Sequence, residues 1–350
     1  MRTAHDRCNP MIETTSAAAD RRADEILANA RILCEPALRE AISALPDPLR
    51  LMGGYHFGWW DADGAPARAD SGKALRPALT LGAAAACAAL PRVAVDAAVA
   101  VELVHNFTLL HDDVMDGDRN RRGRPAVWTV WGVADAILLG DAIHALAVRT
   151  LVSGLPAAIA DTAVGHLEST VIEMCRGQHE DCRLGAGAPA DLGAYGRMAM
   201  GKTGSLMGCA CALGALCAGA DSATVARMNT FGRELGMAFQ FVDDVMGIWG
   251  DPNVTGKPSS DLARRTMSLP VVAALESDTV AAAELAALYH AGADALDTER
   301  AAALVESAGG RSAALREARQ RVEAAIAALI DPSTAPDLVA LADLITRRDR

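Results

Sequence analysis

The residues most able to do chemistry are Leu109-Leu110-His111-Asp112-Asp113-Val114-Met115-Asp116. On a helix turning ~100° per residue, Asp112 and Asp116 fall about 40° apart on one face, with Asp113 flanking them. Three carboxylates at the end of an apolar run (Ala97–Leu110) repel one another. A hard divalent cation relieves that conflict, and all-oxygen ligation suits Mg²⁺, which takes phosphate oxygens as further ligands. Directly behind comes Asp118-Arg119-Asn120-Arg121-Arg122-Gly123-Arg124-Pro125, four arginines suited to bidentate contact with a diphosphate. A second acidic pair, Asp243-Asp244, follows Phe239-Gln240-Phe241-Val242 about 130 residues later. If that helix continues, Asp251 stands nearly eclipsed with Asp244, about 20° away. Two acidic clusters, each in apolar helix and each followed by basic groups, suggest facing walls of one cavity. Several Mg²⁺ ions would share a diphosphate there, and an apolar, water-free pocket would shelter an allylic cation once its C–O bond ionises.

Lysine is the rarest cation. Only Lys73, Lys202 and Lys257 occur among 33 basic side chains, and each follows a glycine. A compact ammonium beside backbone without a Cβ suits phosphate oxygens. One of them raises a rival, because Gly196–Thr203 fits the P-loop pattern G-x-x-x-x-G-K-[ST]. That motif needs a preceding β-strand. Residues 185–195 have no β-branched run, and Arg197, Met198, Met200 and Leu206 read as continuous helix.

The elements that must position these groups read as helices. Hydrophobic residues make up 51% of the 350-residue chain and aromatics only 4%. Abundant alanine favours helix, while strand formers are scarce. Apolar residues recur at helical spacing from Ala19 onward, and no stretch alternates as a strand would. Breaks are expected near Pro46–Pro48, Gly64–Pro66, Pro91, Gly117–Pro125, Gly154–Pro156, Gly185–Pro189, Gly250–Pro258, Gly309–Gly310 and Pro332–Pro336. The expectation is an all-α fold: residues 1–18 a loose arm, and 19–350 one helical bundle around a central cavity. A net charge of −11 disfavours nucleic acid as a partner. The eight cysteines, without a Cys-x-x-Cys pair, read as reduced core thiols of a cytoplasmic protein. The uncharged run Thr203–Ala220 reads as a buried helix, and no membrane span is expected.

These residues resemble a known family, the trans-isoprenyl diphosphate synthases. Asp112–Asp116 with Arg121-Arg122-Gly123 resembles its first aspartate-rich motif, and Gly72-Lys73-Ala74-Leu75-Arg76-Pro77 its Gly-Lys-x-x-Arg-Pro motif. Gly177-Gln178-His179-Glu180-Asp181, Gly201-Lys202-Thr203-Gly204, Phe239-Gln240 and Gly256-Lys257 follow in the family's order. The resemblance spans about Tyr55 to Pro270. It implies the isoprenoid synthase fold, a homodimer and three Mg²⁺ ions. Asp112, Asp113, Asp116, Asp243 and Asp244 would bind metal and the allylic diphosphate. Arg121, Lys202, Thr203, Gln240 and Lys257 would hold that substrate, while Lys73, Arg76, His105 and Arg122 would bind isopentenyl diphosphate. Phe107 and Thr108, one turn before Asp112, would form the floor of the chain-length channel. With one aromatic there, C20 geranylgeranyl diphosphate is the expected product and C15 farnesyl diphosphate the next. One departure stands out: many relatives carry a third aspartate in the second motif where this chain has Gly247. A terpene cyclase of the same fold would have no use for Lys73, Arg76, His105 and Arg122. A non-catalytic partner subunit would have no need of intact Asp112, Asp113 and Arg122. Both stay open as alternatives.

Overall fold

The computed structural model describes residues 10–67, 69, 72–185, 190–250, 261–290 and 296–347. Helices dominate: α1 (Pro10–Ser43), α2 (Leu49–His56), α3 (Leu75–Ala86), α4 (Val95–Met115), α5 (Val127–Trp131), α6 (Val133–Gly154) and α7 (Ala157–Gly185) form the first half. The second half holds α8 (Leu192–Ala199), α9 (Ser205–Cys217), α10 (Ser222–Trp249), α11 (Leu269–Leu275), α12 (Val280–His290), α13 (Thr298–Ser307), α14 (Gly310–Ala328) and α15 (Pro336–Arg347). The chain is all-α, as expected. Helix α1 starts at Pro10, so residues 10–18 are helical where an arm was expected. Residues 1–9 lie outside the described residues.

Local chemistry explains the breaks. Aspartates cap several helix starts: Asp191 accepts from Ala194 N at 2.6 Å, Asp221 from Thr224 N at 2.8 Å and Asp297 from Arg300 N at 3.0 Å. Each satisfies a backbone donor that the first turn leaves orphaned. The break between α9 and α10 was not among those expected; Gly219, with a left-handed backbone at φ +76°, and the Asp221 cap are its sequence signals. A short antiparallel pair, β1 (Asn120–Arg121) with β2 (Arg124–Pro125), also appears, turned by Arg122 (φ 52°) and Gly123 (φ 73°).

Helix α9 lies at the centre, buried from Ser205 to Ala215, which is why its run carries no charge. Helix α10 packs along α9 and α14, α3 packs on α9, and α4 packs on α6. One apolar cluster runs through helices from α1 to α15. A smaller one joins Ile248 and Leu262 to α11, α12 and α13. Two segments are long and apolar enough to cross a membrane by length and composition, Pro91–Met115 and Val133–Gly154. The first is mostly enclosed by the bundle, while α6 leaves Val133, Ile137, Leu138 and Val152 exposed. Among the described cysteines all are free thiols; Cys34, Cys209 and Cys211 are buried, but Cys175 and Cys182 are exposed on α7 rather than in the core.

Candidate active site

A cavity of about 1140 Å³ opens between the helices. Helix α4 supplies His105, Thr108 and Asp112; α10 supplies Gln240 and Asp243 from the opposite side. The turn before α3 adds Lys73, the first turn of α3 adds Arg76, the β hairpin adds Arg121 and Arg122, and Lys202 and Thr203 come from between α8 and α9. Most of the residues singled out in the sequence therefore line one space. Lys257 and Asp251 lie outside the described residues, and α10 stops at Trp249.

Helical geometry sorts the aspartates. Asp112 faces the cavity, and its carboxyl is pushed up to about 6 by burial, with Asp116 and Asp181 adding repulsion against the pull of Lys202 and Arg121. Asp116 ends α4 at the exposed rim. Asp113, turned ~100° away, is buried and does not line the cavity. Its Oδ1 accepts from Arg121 Nε at 2.8 Å and also from Arg121 Nη2. Asp113, expected as a metal ligand, thus faces Arg121 as a strut rather than the cavity. Asp244 departs in the same way. Its Oδ2 accepts from Tyr195 Oη at 2.5 Å and Leu269 N at 2.7 Å, and its Oδ1 from Gln240 Nε2 at 2.9 Å. Burial pushes that carboxyl up to about 7 despite the three donors. With both oxygens committed, Asp244 anchors Gln240, whose Oε1 in turn accepts from Thr203 Oγ1 at 2.7 Å. Asp243 is the member of that pair that faces the cavity.

Phe107 also lies off the cavity wall. Its ring packs against His111 at 5.1 Å and His144 at 5.3 Å, while Thr108 lines the cavity. Four residues bring Thr108 round to the Asp112 face, whereas five carry Phe107 about 140° from it.

Lys202 sits in a π turn, Met200–Gly204, inserted between α8 and α9. Such turns are frequent at functional sites. Helix α8 leads directly into it where a P-loop needs a strand, which removes the P-loop reading. Gly177 of α7 and Gly201 make the position tight: a Cβ on Gly201 would stand 2.9 Å from Gly177 Cα. Lys202 Nζ donates to Asp181 Oδ2 at 2.6 Å. Burial opposes its charge, yet Asp181, Asp112 and Asp116 hold the ammonium above its ordinary value. Asp181 is a site residue that sequence reasoning leaves without a role; closing the motif Gly177-Gln178-His179-Glu180-Asp181 is its only sequence signal.

On the other side of the cavity the groups are basic. Arg76 Nε is buried and has no hydrogen-bond partner among the described residues, the state of a donor awaiting an anion. His105 is held well below its ordinary value by burial, then by Arg76 and Arg122, so it is a neutral hydrogen-bonding group.

The Gly247 departure has a structural reason. A Cβ there would collide with the carboxylate of Asp261, which fills the space beside α10. Asp261 thus brings an acid from another segment to the place where the third aspartate would project.

The acids fit a hard cation in their chemistry. Among the described residues no three His, Cys, Asp or Glu side chains converge on one point. Asp112 on α4 and Asp243 on α10 line the cavity and Asp116 stands at its exposed rim, so phosphate oxygens must complete any shell between them, as Mg²⁺ favours.

An all-helical bundle with two acidic walls and a basic pocket in one cavity is the architecture of a transferase working on diphosphate esters. The sequence model of the polyprenyl synthetase family matches residues 67–307, and the chain belongs to that family of prenyltransferases. It is 56% identical over 327 residues, 93% of each chain, to a protein of Mycobacterium tuberculosis named geranylgeranyl diphosphate synthase. It is 42% identical over 308 residues, 86% of each, to one of the same organism named (2E,6E)-farnesyl diphosphate synthase. Among solved structures, a polyprenyl synthetase of Streptomyces coelicolor superposes with a TM-score of 0.87 at 44% identity, covering 92% of this chain and 98% of that one.

Proposed function

We propose that the chain joins isopentenyl diphosphate head to tail to an allylic diphosphate, with Mg²⁺, to give C20 geranylgeranyl diphosphate. The observation that carries this reading is that two charged groups line one cavity: Asp112, Asp243 and Lys202 form the first, Arg76, His105 and Arg122 the second. A cyclase would need only the first, so the second favours a two-substrate condensation. The 56% identity to the named geranylgeranyl diphosphate synthase supports C20 over C15.

In this reading Asp112, Asp116 and Asp243 hold Mg²⁺, which when bound neutralises the departing diphosphate. Lys202, Arg121, Thr203 and Gln240 fix the allylic diphosphate, and Lys257 completes that set. As its C–O bond breaks, charge grows on the bridging oxygen, where these donors are already in place. Lys73, Arg76, His105 and Arg122 hold isopentenyl diphosphate so that its double bond faces the allylic carbon. The new C–C bond forms, and a proton leaves, taken by the released diphosphate. Thr108 lies along the path of the growing tail.

The apolar outer face of α6 (Val133, Ile137, Leu138, Val152) supports a homodimer, and free thiols support a reducing, cytoplasmic setting. The test is incubation with isopentenyl diphosphate and each of the C5, C10 and C15 allylic primers with Mg²⁺, then dephosphorylation and sizing. A C20 alcohol is expected. Hydrocarbon formed without isopentenyl incorporation would mean a cyclase, and no product with any primer a non-catalytic subunit.

A further inference from the structure

Behind the basic pocket lies a polar cluster that the reaction as derived does not use. Asn106 of α4 is fully buried, with no exposed surface. Its Nδ2 donates to Glu102 O at 2.8 Å and to Glu102 Oε1 at 3.0 Å. Its Oδ1 accepts from His56 Nε2 at 3.1 Å and from Arg122 Nη2 at 3.5 Å. An amide offers two donors and two acceptors, and all four are used. That fixes its orientation, since the reverse would set an NH₂ against a guanidinium. It also fixes the His56 tautomer with the proton on Nε2. Burial, then Arg122 and Arg121, hold that imidazole down at about 3, so it is a neutral donor.

Glu102 is buried too, and carries the one negative charge on α4 between its first turn and Asp112. Burial pushes its carboxyl up, and Arg122 and then Arg76 pull the other way, favouring its charge. The amide therefore lies between a buried carboxylate and a guanidinium of the second anion site. The same Arg122 Nη2 is also close to the Gly72–Lys73 turn: a Cβ on Gly72 would stand 3.0 Å from it. Arg122 itself has a left-handed backbone at the tip of the hairpin, a conformation that surrounding contacts must maintain.

We propose that Asn106 is a positioning residue for the isopentenyl diphosphate subsite, tying Glu102 and His56 to Arg122 so that the guanidinium is set against the Gly72–Lys73 turn before substrate arrives. The proposal rests on the assignment of Arg122 to isopentenyl diphosphate. Preset orientation lowers the ordering cost of binding, so its loss appears in the KM of that substrate first.

The test is a double-mutant cycle on steady-state kinetics, each substrate varied in turn, with thermal denaturation as a check on folding. The variants are Asn106→Ala, Asn106→Ser, Arg122→Ala and the Asn106→Ala/Arg122→Ala pair. Asn106→Ser leaves less of a void and keeps a hydroxyl, but it cannot span from Glu102 to Arg122, so it stands in where alanine fails to fold. Loss of one hydrogen bond to a charged group corresponds to about a tenfold change. The expected result is a rise of about tenfold in KM for isopentenyl diphosphate with either Asn106 variant, with kcat and the allylic KM little changed. In the Arg122→Ala background Asn106→Ala should add nothing, because the group it positions is gone. An unchanged KM in both Asn106 variants, while Arg122→Ala raises it, overturns the proposal and leaves the assignment of Arg122 intact. Penalties that multiply in the pair overturn it as well. An Arg122→Ala enzyme with unchanged KM for isopentenyl diphosphate overturns the underlying assignment and the proposal with it.

Discussion

Replacing Asp112 and Asp113 separately should split two effects that their adjacency in sequence conflates. Asp113 is buried, and its side chain keeps 2% of its surface against 18% for its partner Arg121. Asp113→Ala leaves that guanidinium with only the more distant Asp118, at 4.0 Å, in a largely dry setting. Breaking a buried pair from one side costs about 3–5 kcal/mol, with the lower end favoured because Arg121 retains some water. At about 2.1 cal/mol/K of unfolding entropy per residue, a chain of 350 residues gains about 0.7 kcal/mol/K, so the melting point should fall by about 4–7 °C. Asp112→Ala removes a carboxylate already pushed up to about 6 by burial, so it should melt no lower than wild type. Its turnover should nonetheless fall by about 10²–10³, the usual effect of deleting one stabilising group in a charged transition state. Calorimetry and single-turnover assays at 20 °C below the lower melting point read the two effects apart. If Asp113→Ala melts like wild type and loses turnover as deeply as Asp112→Ala, then Asp113 is a ligand and the strut assignment is wrong.

Three further outcomes follow from the site. Gly247→Asp should lower turnover at least tenfold and weaken Mg²⁺ binding in a titration, because the new side chain displaces the Asp261 carboxylate; unchanged Mg²⁺ affinity would separate Asp261 from the metal site. Lys202→Ala should raise the KM of the allylic substrate and Arg76→Ala that of isopentenyl diphosphate, each by about 10- to 150-fold for a charged hydrogen bond of roughly 1.5–3 kcal/mol; equal effects on both substrates would refute the division of the cavity. Thr108→Phe should shift products toward C15, whereas Phe107→Ala should leave their length unchanged, since its ring packs on His111 and His144 instead of the cavity; longer products from Phe107→Ala would put the floor back at Phe107.

The all-helical fold was legible because alanine-rich, 3.6-period segments broken by Gly and Pro leave little alternative. The break at Gly219 was missed because one glycine in a small-residue run resembles its neighbours until the Asp221 cap is noticed. The cavity-facing acids were legible from spacing, since Asp112 and Asp116 are four apart. What sequence could not separate was Asp113 from Asp112 or Asp244 from Asp243. In each adjacent pair one member points into the bundle, and its partner (Arg121 for one; Tyr195 and Leu269 N for the other) comes from a distant segment. Asp261 over Gly247 and Asn106 beneath Arg122 were hidden for the same reason. A single charged residue inside the run Ala97–Leu110, Glu102, was the one visible hint of a buried polar cluster.

The π turn at Met200–Gly204 has a consequence for how this protein tolerates repair. Such a turn accommodates one residue more than a regular α-helix, and its backbone ladder is looser than the α-helices that flank it. Deleting one residue would restore an unbroken helix from α8 into α9 and tighten that ladder. The deletion would also rotate everything on one side of it by ~100° relative to the other, swinging Lys202 and Thr203 away from the wall where Asp112 and Gln240 meet them. Selection for heat resistance alone would thus favour a change that disarms the catalyst.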